Sequence, residues 1–254
     1  MLKNIHSSFI MKKILNNLYD KKKLKMIKYN INIQTKININ LMNYRILSER
    51  YIIYETNIFG KEYNYNSKLL FEGEYINGER NGKGKEYHAN GKLKFEGEYL
   101  KGNRNGKGIE YDSNGILIFE GEYLNGNRNG KGITYFKEGK LEFKGEYVNG
   151  ERNGKGKTYY LDGNLEFEGE YLNGKKNGKG KEYYKDGKLK FEGEYLNGNR
   201  WNGKGKEYIY IGNCLFEGEY LNGEKWNGKG KKYNNIGLLK FVVEYFNGEK
   251  KYKK

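Results

Sequence analysis

Apolar and charged positions alternate in short runs along most of the chain. Leu189, Phe191, Gly193 and Tyr195 alternate with Lys190, Glu192 and Glu194, the period of two expected of a strand with one buried face. The run recurs with its phenylalanine at Phe71, Phe95, Phe119, Phe143, Phe167, Phe191, Phe216 and Phe241, a spacing of 24 residues that lengthens to 25 in the last two steps. A fixed period in this range marks an array of stacked structural repeats, whose size is set by copy number.

Each unit reads as a hairpin. After the first strand a loop, NGNR and then NGKG, leads to a second strand ending in tyrosine, and a DG or NG dipeptide returns the chain to the next unit. Such dipeptides supply the positive φ that tight hairpins need. A two-residue return turn at Asp186 and Gly187 pairs Tyr184 with Leu189. A three-residue turn, Lys185 to Gly187, pairs Tyr183 with Leu189 and Glu182 with Lys190. The second register matches side-chain character across the copies. It sets Tyr87 opposite Leu93, Glu86 opposite Lys94, and Ile109 and Ile133 opposite Phe119 and Phe143, with Lys232 opposite Lys240 as its one mismatch. Matched cross-strand pairs stabilise a sheet, so the three-residue turn is expected. Cys214 takes the leucine slot opposite Tyr208, as a small buried hydrophobe.

Residues 47–70 match the unit at Tyr51, Asn57, Gly60 and Tyr63 and read as a degenerate capping repeat; the copy from Phe241 is truncated and closes the other end. Upstream, Tyr29, Ile31, Ile33, Thr35, Ile37, Ile39 and Leu41 alternate with polar residues, a strand signal or an Asn/Ile low-complexity run. Ile10, Met11, Ile14, Leu15 and Leu18 fall at helical spacing ahead of Lys21, Lys22 and Lys23. These residues lack the continuous apolar core of a secretory signal, and no stretch approaches the ~20 apolar residues of a spanning helix. The expected organisation is a basic leader, 1–46, irregular or partly helical, followed by the array, 47–254.

Composition agrees with a thin structure. Hydrophobic residues are 36% of the 254, glycines number 37, and proline is absent; mean hydropathy is −1.01. Yet 26 Tyr and 12 Phe are too many for a disordered chain, so aromatic stripes must supply the core. The formal charge of +16 is uneven: residues 1–46 hold ten Lys/Arg against Asp20, a net +9. Lys12, Lys13, Lys21, Lys22, Lys23 and Lys25 are therefore candidate contacts for an anionic membrane surface, with a solvated tail as the preferred reading. The single Cys214 allows no internal disulfide and points to a reducing compartment.

The chemical motifs fail on context. GNRWNGKG and GEKWNGKG come close to a phosphate-binding loop, but Gly205 and Gly230 stand where a Ser/Thr is needed and a strand follows in place of a helix. Glu192 and Glu194 lie at a glycosidase-like separation, yet the pair recurs in nearly every unit beside lysines, as an ionic face would. His6 and His88 are too few for a metal cluster or a catalytic relay. No cofactor, metal or small-molecule substrate is expected, and nucleic-acid binding by the aromatic stripe is disfavoured because those rings are needed as core. Trp201 and Trp226 differ: each sits in a one-residue insertion at the same loop of adjacent copies, and is either simple loop filling or an exposed aromatic anchor for a partner.

The phrase FEGEYLNGxRNGKGxxY with a following DG resembles the MORN repeat. Its KEYYKDGKLKFEGEYLNG form is most similar to the variant in YwqK-type antitoxin proteins. The resemblance implies an all-β fold, an elongated array of antiparallel hairpins in a single curved sheet. It implies a non-catalytic scaffold that binds a protein partner or a second copy of itself, or tethers to a membrane. It also raises an antitoxin-like neutralising role, and a cytoplasmic location with peripheral membrane association. Tyrosine replaces the commoner tryptophan at the second aromatic position.

Overall fold

The computed structural model describes residues 50–208, 214–234 and 236–253. The leader, with its expected helix and the strand expected over 29–41, lies outside the described residues. Every regular element among the described residues is a strand, as the alternation requires. The chain divides into two compact units, Met1–Gly126 and Asn127–Lys254.

The first unit holds β1 (Arg50–Tyr54), β2 (Phe59–Asn64), β3 (Leu69–Ile76), β4 (Glu79–Tyr87), β5 (Leu93–Leu100), β6 (Asn103–Tyr111) and β7 (Leu117–Leu124). Each pairs antiparallel with the next. The second unit holds β8 (Asn127–Tyr135), β9 (Leu141–Val148), β10 (Glu151–Tyr159), β11 (Leu165–Leu172), β12 (Lys175–Tyr183), β13 (Leu189–Leu196), β14 (Asn199–Tyr208), β15 (Cys214–Leu221), β16 (Glu224–Tyr233), β17 (Leu239–Phe246) and β18 (Glu249–Lys253). These too pair in sequence order, all antiparallel.

The return turn has the expected three residues. Tyr184 N donates to Lys188 O at 2.9 Å, and Gly187 takes the left-handed position with φ 80°. Tyr183 faces Leu189 as expected, but the register then shifts, and Glu182 faces Phe191 instead of Lys190. Lys190 is the extra residue of a β-bulge, which reverses the face of everything that follows it. The same shift corrects the other pairings: Glu110 and Thr134, not Ile109 and Ile133, face Phe119 and Phe143, while Ile109 faces Glu120 and Ile133 faces Lys144. Glu86 faces Phe95 and Lys232 faces Phe241, which removes the one like-charge mismatch. Leu189 consequently leaves the stripe of Phe191, Gly193 and Tyr195 for the face of Tyr183. Cys214 does face Tyr208, but it is half-buried, with Sγ 3.5 Å from Phe216 O.

The glycine-rich segment is strand, not loop. Asn173 and Gly174 alone make the turn, with φ 48° and 77°, and β12 runs directly through KKNGKGKEY. A bulge lies between the pairs Gly169↔Gly180 and Tyr171↔Lys176, with Gly178 at φ 80°. The remaining glycines make room for the core. The Phe167 ring lies flat on the backbone of the facing pair Gly169 and Gly180; a Cβ would stand 2.7 Å from its Cζ at Gly169 and 2.4 Å at Gly180. Tyr171 and Tyr195 meet the ring edge-on at 5.3 and 5.0 Å, and Lys176 Nζ sits 4.7 Å above its centroid. Phe71, Phe95, Phe119, Phe143, Phe167, Phe191 and Phe216 are all 0% exposed, and Tyr75, Tyr99, Tyr123, Tyr147, Tyr171, Tyr195 and Tyr220 beside them are buried. Edge-to-face pairs and an overlying cation each favour such rings beyond simple burial.

Gly180→Ala should therefore destabilise the chain by about 1–3 kcal/mol by forcing the Phe167 ring off its seat, whereas Lys181→Ala, on the opposite face, should cost under about 0.5 kcal/mol. Urea denaturation followed by tyrosine fluorescence measures both, and equal midpoints for the two variants would refute the seating role of the glycine.

Candidate functional site

The aromatic face carries a buried ionic network built by the bulge. Because Glu182 rather than Lys181 turns to this face, its carboxylate reaches the tyrosine and cation of the next repeat. Tyr195 Oη donates to Glu182 at 3.3 Å, Arg200 Nη2 and Nε at 2.8 and 3.0 Å, and the bulge residue Lys190 at 2.8 Å. Glu86 in the first unit accepts from Tyr99 and from Arg104 Nη2, both at 2.8 Å, and lies 3.9 Å from Lys94. Glu207 accepts from Lys225 at 2.7 Å and Tyr220 at 2.5 Å. The cations of this network are also the roof: Arg80, Arg104 and Arg200 stand 4.2, 4.1 and 5.1 Å above Phe71, Phe95 and Phe191.

Two copies wire the network differently. Thr134 and Thr158 replace the glutamate and bond Tyr147 and Tyr171 through their hydroxyls. The bulge position, lysine at Lys94 and Lys190, is then glutamate, and Glu142 and Glu166 pair with Arg152 and Lys176. Each of these cells thus keeps a carboxylate for its roof cation.

Titration reflects this wiring. Burial alone would raise the Glu182 carboxyl, but the hydrogen bonds and charges of Lys190 and Arg200 overcome it and hold the group down at about 2. Glu86 is likewise lowered by Arg104 and Tyr99 against the cost of burial. Burial and the adjacent carboxylate push the Tyr99 and Tyr195 hydroxyls well above the ordinary tyrosine range.

The opposite face is ionic, as the Glu192 and Glu194 spacing indicated: Lys181 pairs with Glu192 at 3.0 Å, Lys157 with Glu168 at 2.9 Å and Lys206 with Glu217 at 2.7 Å. A trough of about 660 Å³ runs over it between Lys155, Lys179, Glu170 and Glu194.

Trp201 and Trp226 lie within β14 and β16, half-buried, not in exposed loops. Each ring covers the next Asn-Gly turn: a Cβ on Gly223 would stand 3.7 Å from Trp201, and one on Gly248 3.3 Å from Trp226. Each tryptophan also accepts that glycine's N–H on its carbonyl, at 2.9 Å. The insertions alter the ladder. Phe167 faces Glu182, but Phe191 faces Gly205 and Phe216 faces Gly230, so the pairing slides by two residues, about 7 Å, at each. A groove of about 1040 Å³ lies on the aromatic face at the first slide, between Tyr184, Tyr208, Arg200, Trp201 and Glu224. Sequence reasoning located the insertions and missed both the slide and the groove. Lys12, Lys13, Lys21, Lys22, Lys23 and Lys25 lie outside the described residues. Among the described residues no group of three or more His, Cys, Asp or Glu is placed to hold a metal, and no helix is long and apolar enough to cross a membrane.

The MORN repeat model matches residues 95–116, 119–140, 143–165 and 167–188, and the model of a MORN repeat variant matches residues 80–101. No curated protein matches the chain. Among solved structures, the crystal structure of TarM is 11% identical with a TM-score of 0.27, over 56% of this chain and 27% of that one. The TcdB2-TccC3-Cdc42 structure is 12% identical with a TM-score of 0.21, over 77% of this chain and 12% of that one.

The lowered Glu182 gives a signed pH dependence. A carboxylate held near 2 in the folded chain stabilises it above the ordinary value of 4.5, and that contribution is lost as pH falls from about 4.5 to about 2. Glu182→Gln should lower Tm at pH 7 and reduce proton uptake on unfolding by about one between those pH values. Melting curves across the range test it; an unchanged pH slope would count against the network.

Proposed function

Because this chain is a MORN-repeat protein, we propose that it works as a non-catalytic interaction scaffold, with the partner contacting the aromatic face where the Trp insertions interrupt the repeat. The observation that carries this reading is the slide of the ladder at Trp201, with the groove beside it. The roof cations, glutamates and tyrosines stay engaged with one another on both sides of the slide, and away from the insertions one cell closely repeats the next. At the slide the repeat is broken, and aromatic rings and charged groups border an open groove, the mixture of anchors and polar rim that interfaces use.

The leader supports a second role, peripheral attachment to anionic membranes through Lys12, Lys13, Lys21, Lys22, Lys23 and Lys25, on the strength of its net +9. The two roles are compatible, with the leader placing the scaffold at a surface.

Immobilised full-length chain and its Trp201→Ala/Trp226→Ala variant, compared by quantitative cross-linking in extracts of the native host, test the scaffold reading. Partners retained by the parent should fall at least tenfold with the variant, at a temperature where circular dichroism shows both proteins folded. Equal capture by both proteins would defeat it. Replacing the six leader lysines with glutamate in the full chain should abolish flotation with phosphatidylserine vesicles; unchanged flotation would remove the membrane role.

A further inference from the structure

The last hairpin departs from the charge pattern of the array. Residues 229–254 carry eight lysines against Glu244 and Glu249, a net +6, whereas residues 47–228 carry 30 basic against 29 acidic residues. Three of these lysines belong to one cell. Lys232 faces Phe241 as Glu182 faces Phe191, Lys240 is the bulge residue as Lys190 is, and Lys250 faces Tyr245 as Arg200 faces Tyr195. Each of the seven preceding cells, from that of Glu62 to that of Glu207, holds a carboxylate against its tyrosine or its cation. The cell of Phe241 has none among the described residues. Glu244 lies opposite Lys229 and Lys251 on the other face, Glu249 lies opposite Phe246 there, and Glu207 is held by Lys225 and Tyr220.

This cell is also open. Phe241 is half-buried where the other seven phenylalanines are fully buried. Val243 and Tyr252 face each other at the place where paired glycines elsewhere let the ring lie flat. Lys232 Nζ lies 5.6 Å from the Phe241 centroid and Lys250 Nζ 6.0 Å from that of Tyr245, while Tyr252, 67% exposed, meets Phe241 edge-on at 5.5 Å. Among the described residues β18 pairs with β17 alone, so its outer edge presents unpaired backbone donors and acceptors. Lys250 and Lys251 on that edge oppose pairing with a second copy of the same strand and favour an acidic one, because like charges on adjacent strands destabilise and opposite charges stabilise.

We propose that this end of the array binds an extended acidic peptide segment, which adds as a strand to β18 and places a carboxylate in the cell of Phe241. The occupied cells show the chemistry that the empty one lacks: Glu182 accepts from Lys190 at 2.8 Å, Arg200 at 2.8 Å and Tyr195 at 3.3 Å. Lys240, Lys250 and Tyr245 are the counterparts of those donors. A glutamate on a strand added to β18 stands one strand, about 4.8 Å, from Lys250 and two strands from Lys240. Glu182 on β12 reaches Arg200 on β14 across the same two strands. Backbone pairing supplies affinity, and the charge-assisted bonds to the carboxylate set register and select an acidic partner. This surface is separate from the groove at Trp201.

The test is fluorescence anisotropy of the full chain with a labelled synthetic peptide of about nine residues in which glutamate alternates with threonine. The same peptide with glutamine for glutamate should bind at least tenfold more weakly, and so should the glutamate peptide N-methylated at alternate residues, which cannot complete the strand ladder. Lys232→Glu gives the cell a carboxylate of its own; it should weaken binding at least tenfold while Tm stays level or rises. Lys231→Glu makes the same charge change on the opposite face of β16 and should leave affinity within about twofold. Parental affinity in Lys232→Glu, or equal losses in the two variants, would overturn the proposal, the second by showing general charge attraction. Unchanged binding of the N-methylated peptide would overturn it by removing the added strand. Displacement of the peptide by inorganic phosphate at lower concentration than by glutarate would make the ligand a phosphate group and overturn it too. The scaffold reading fails separately, by equal capture of partners with and without the two tryptophans.

Discussion

The fold depends on burying a phenylalanine on one sheet with no second layer of secondary structure among the described residues. A sheet ordinarily covers its apolar face with helices or another sheet. Here the ring is enclosed from within its own layer. The facing glycines let it lie against the backbone, two tyrosines close its edges, and an arginine or lysine lies over the exposed side. Each component constrains the others. A side chain on the glycine lifts the ring, a lifted ring loses both edge contacts, and a roof cation over an apolar ring needs an anion to offset its desolvation.

That last requirement explains the ionic network. The cation shields a ring and sits beside a tyrosine hydroxyl, so a nearby carboxylate serves both as counter-ion and as acceptor. The glutamate that supplies it comes from the preceding hairpin, so the network ties each hairpin to the next where the tyrosine edges already do. Packing and electrostatics therefore couple the same neighbours, which is how repeat arrays gain cooperativity from local contacts alone. The exchange at Thr134 and Thr158 shows which part is essential. When the glutamate is lost, the carboxylate moves to the bulge residue at Glu142 and Glu166 and still reaches the roof cation. In these two copies the position of the anion changes and its presence does not; only the last copy, with Lys232 and Lys240, has a cation at both positions.

The repeat, the strands and the three-residue return turn were legible from spacing and turn chemistry, because those are local properties. The faces were legible only in part. The single residue Lys190, bulging between Leu189 and Phe191, moves Leu189 off the core stripe and brings Glu182 onto it, and no periodicity announces a one-residue irregularity. Ile109 and Ile133 were drawn toward the core for the same reason, since they are the apolar residues that a continuous ladder would place opposite Phe119 and Phe143. A different signal was present: the charge at the bulge position is lysine where the facing residue is Glu86 or Glu182, and glutamate where it is Thr134 or Thr158. That exchange between positions eight residues apart marks a shared face. The glycines misled in another way, because NGKG reads as loop composition although Gly180 is a seat for a ring.

The same cell explains why an added residue is tolerated at Trp201 and Trp226. The insertion enters at the bulge, where the ladder is already irregular, and it is absorbed by a slide of two residues. An even slide keeps every side chain on its own face. Gly205 takes the place opposite Phe191 that Glu182 takes opposite Phe167, and Gly193, Gly203 and Gly205 all lie under the ring. Tyr220 still closes its edge at 5.5 Å, and Arg200 still covers it. A slide of one would have turned the charged row inward. Variation is thus confined to changes that preserve the seat, the edges and the roof. Within the described array, the step at these insertions is the place where the chain gains a surface feature that its uniform copies lack.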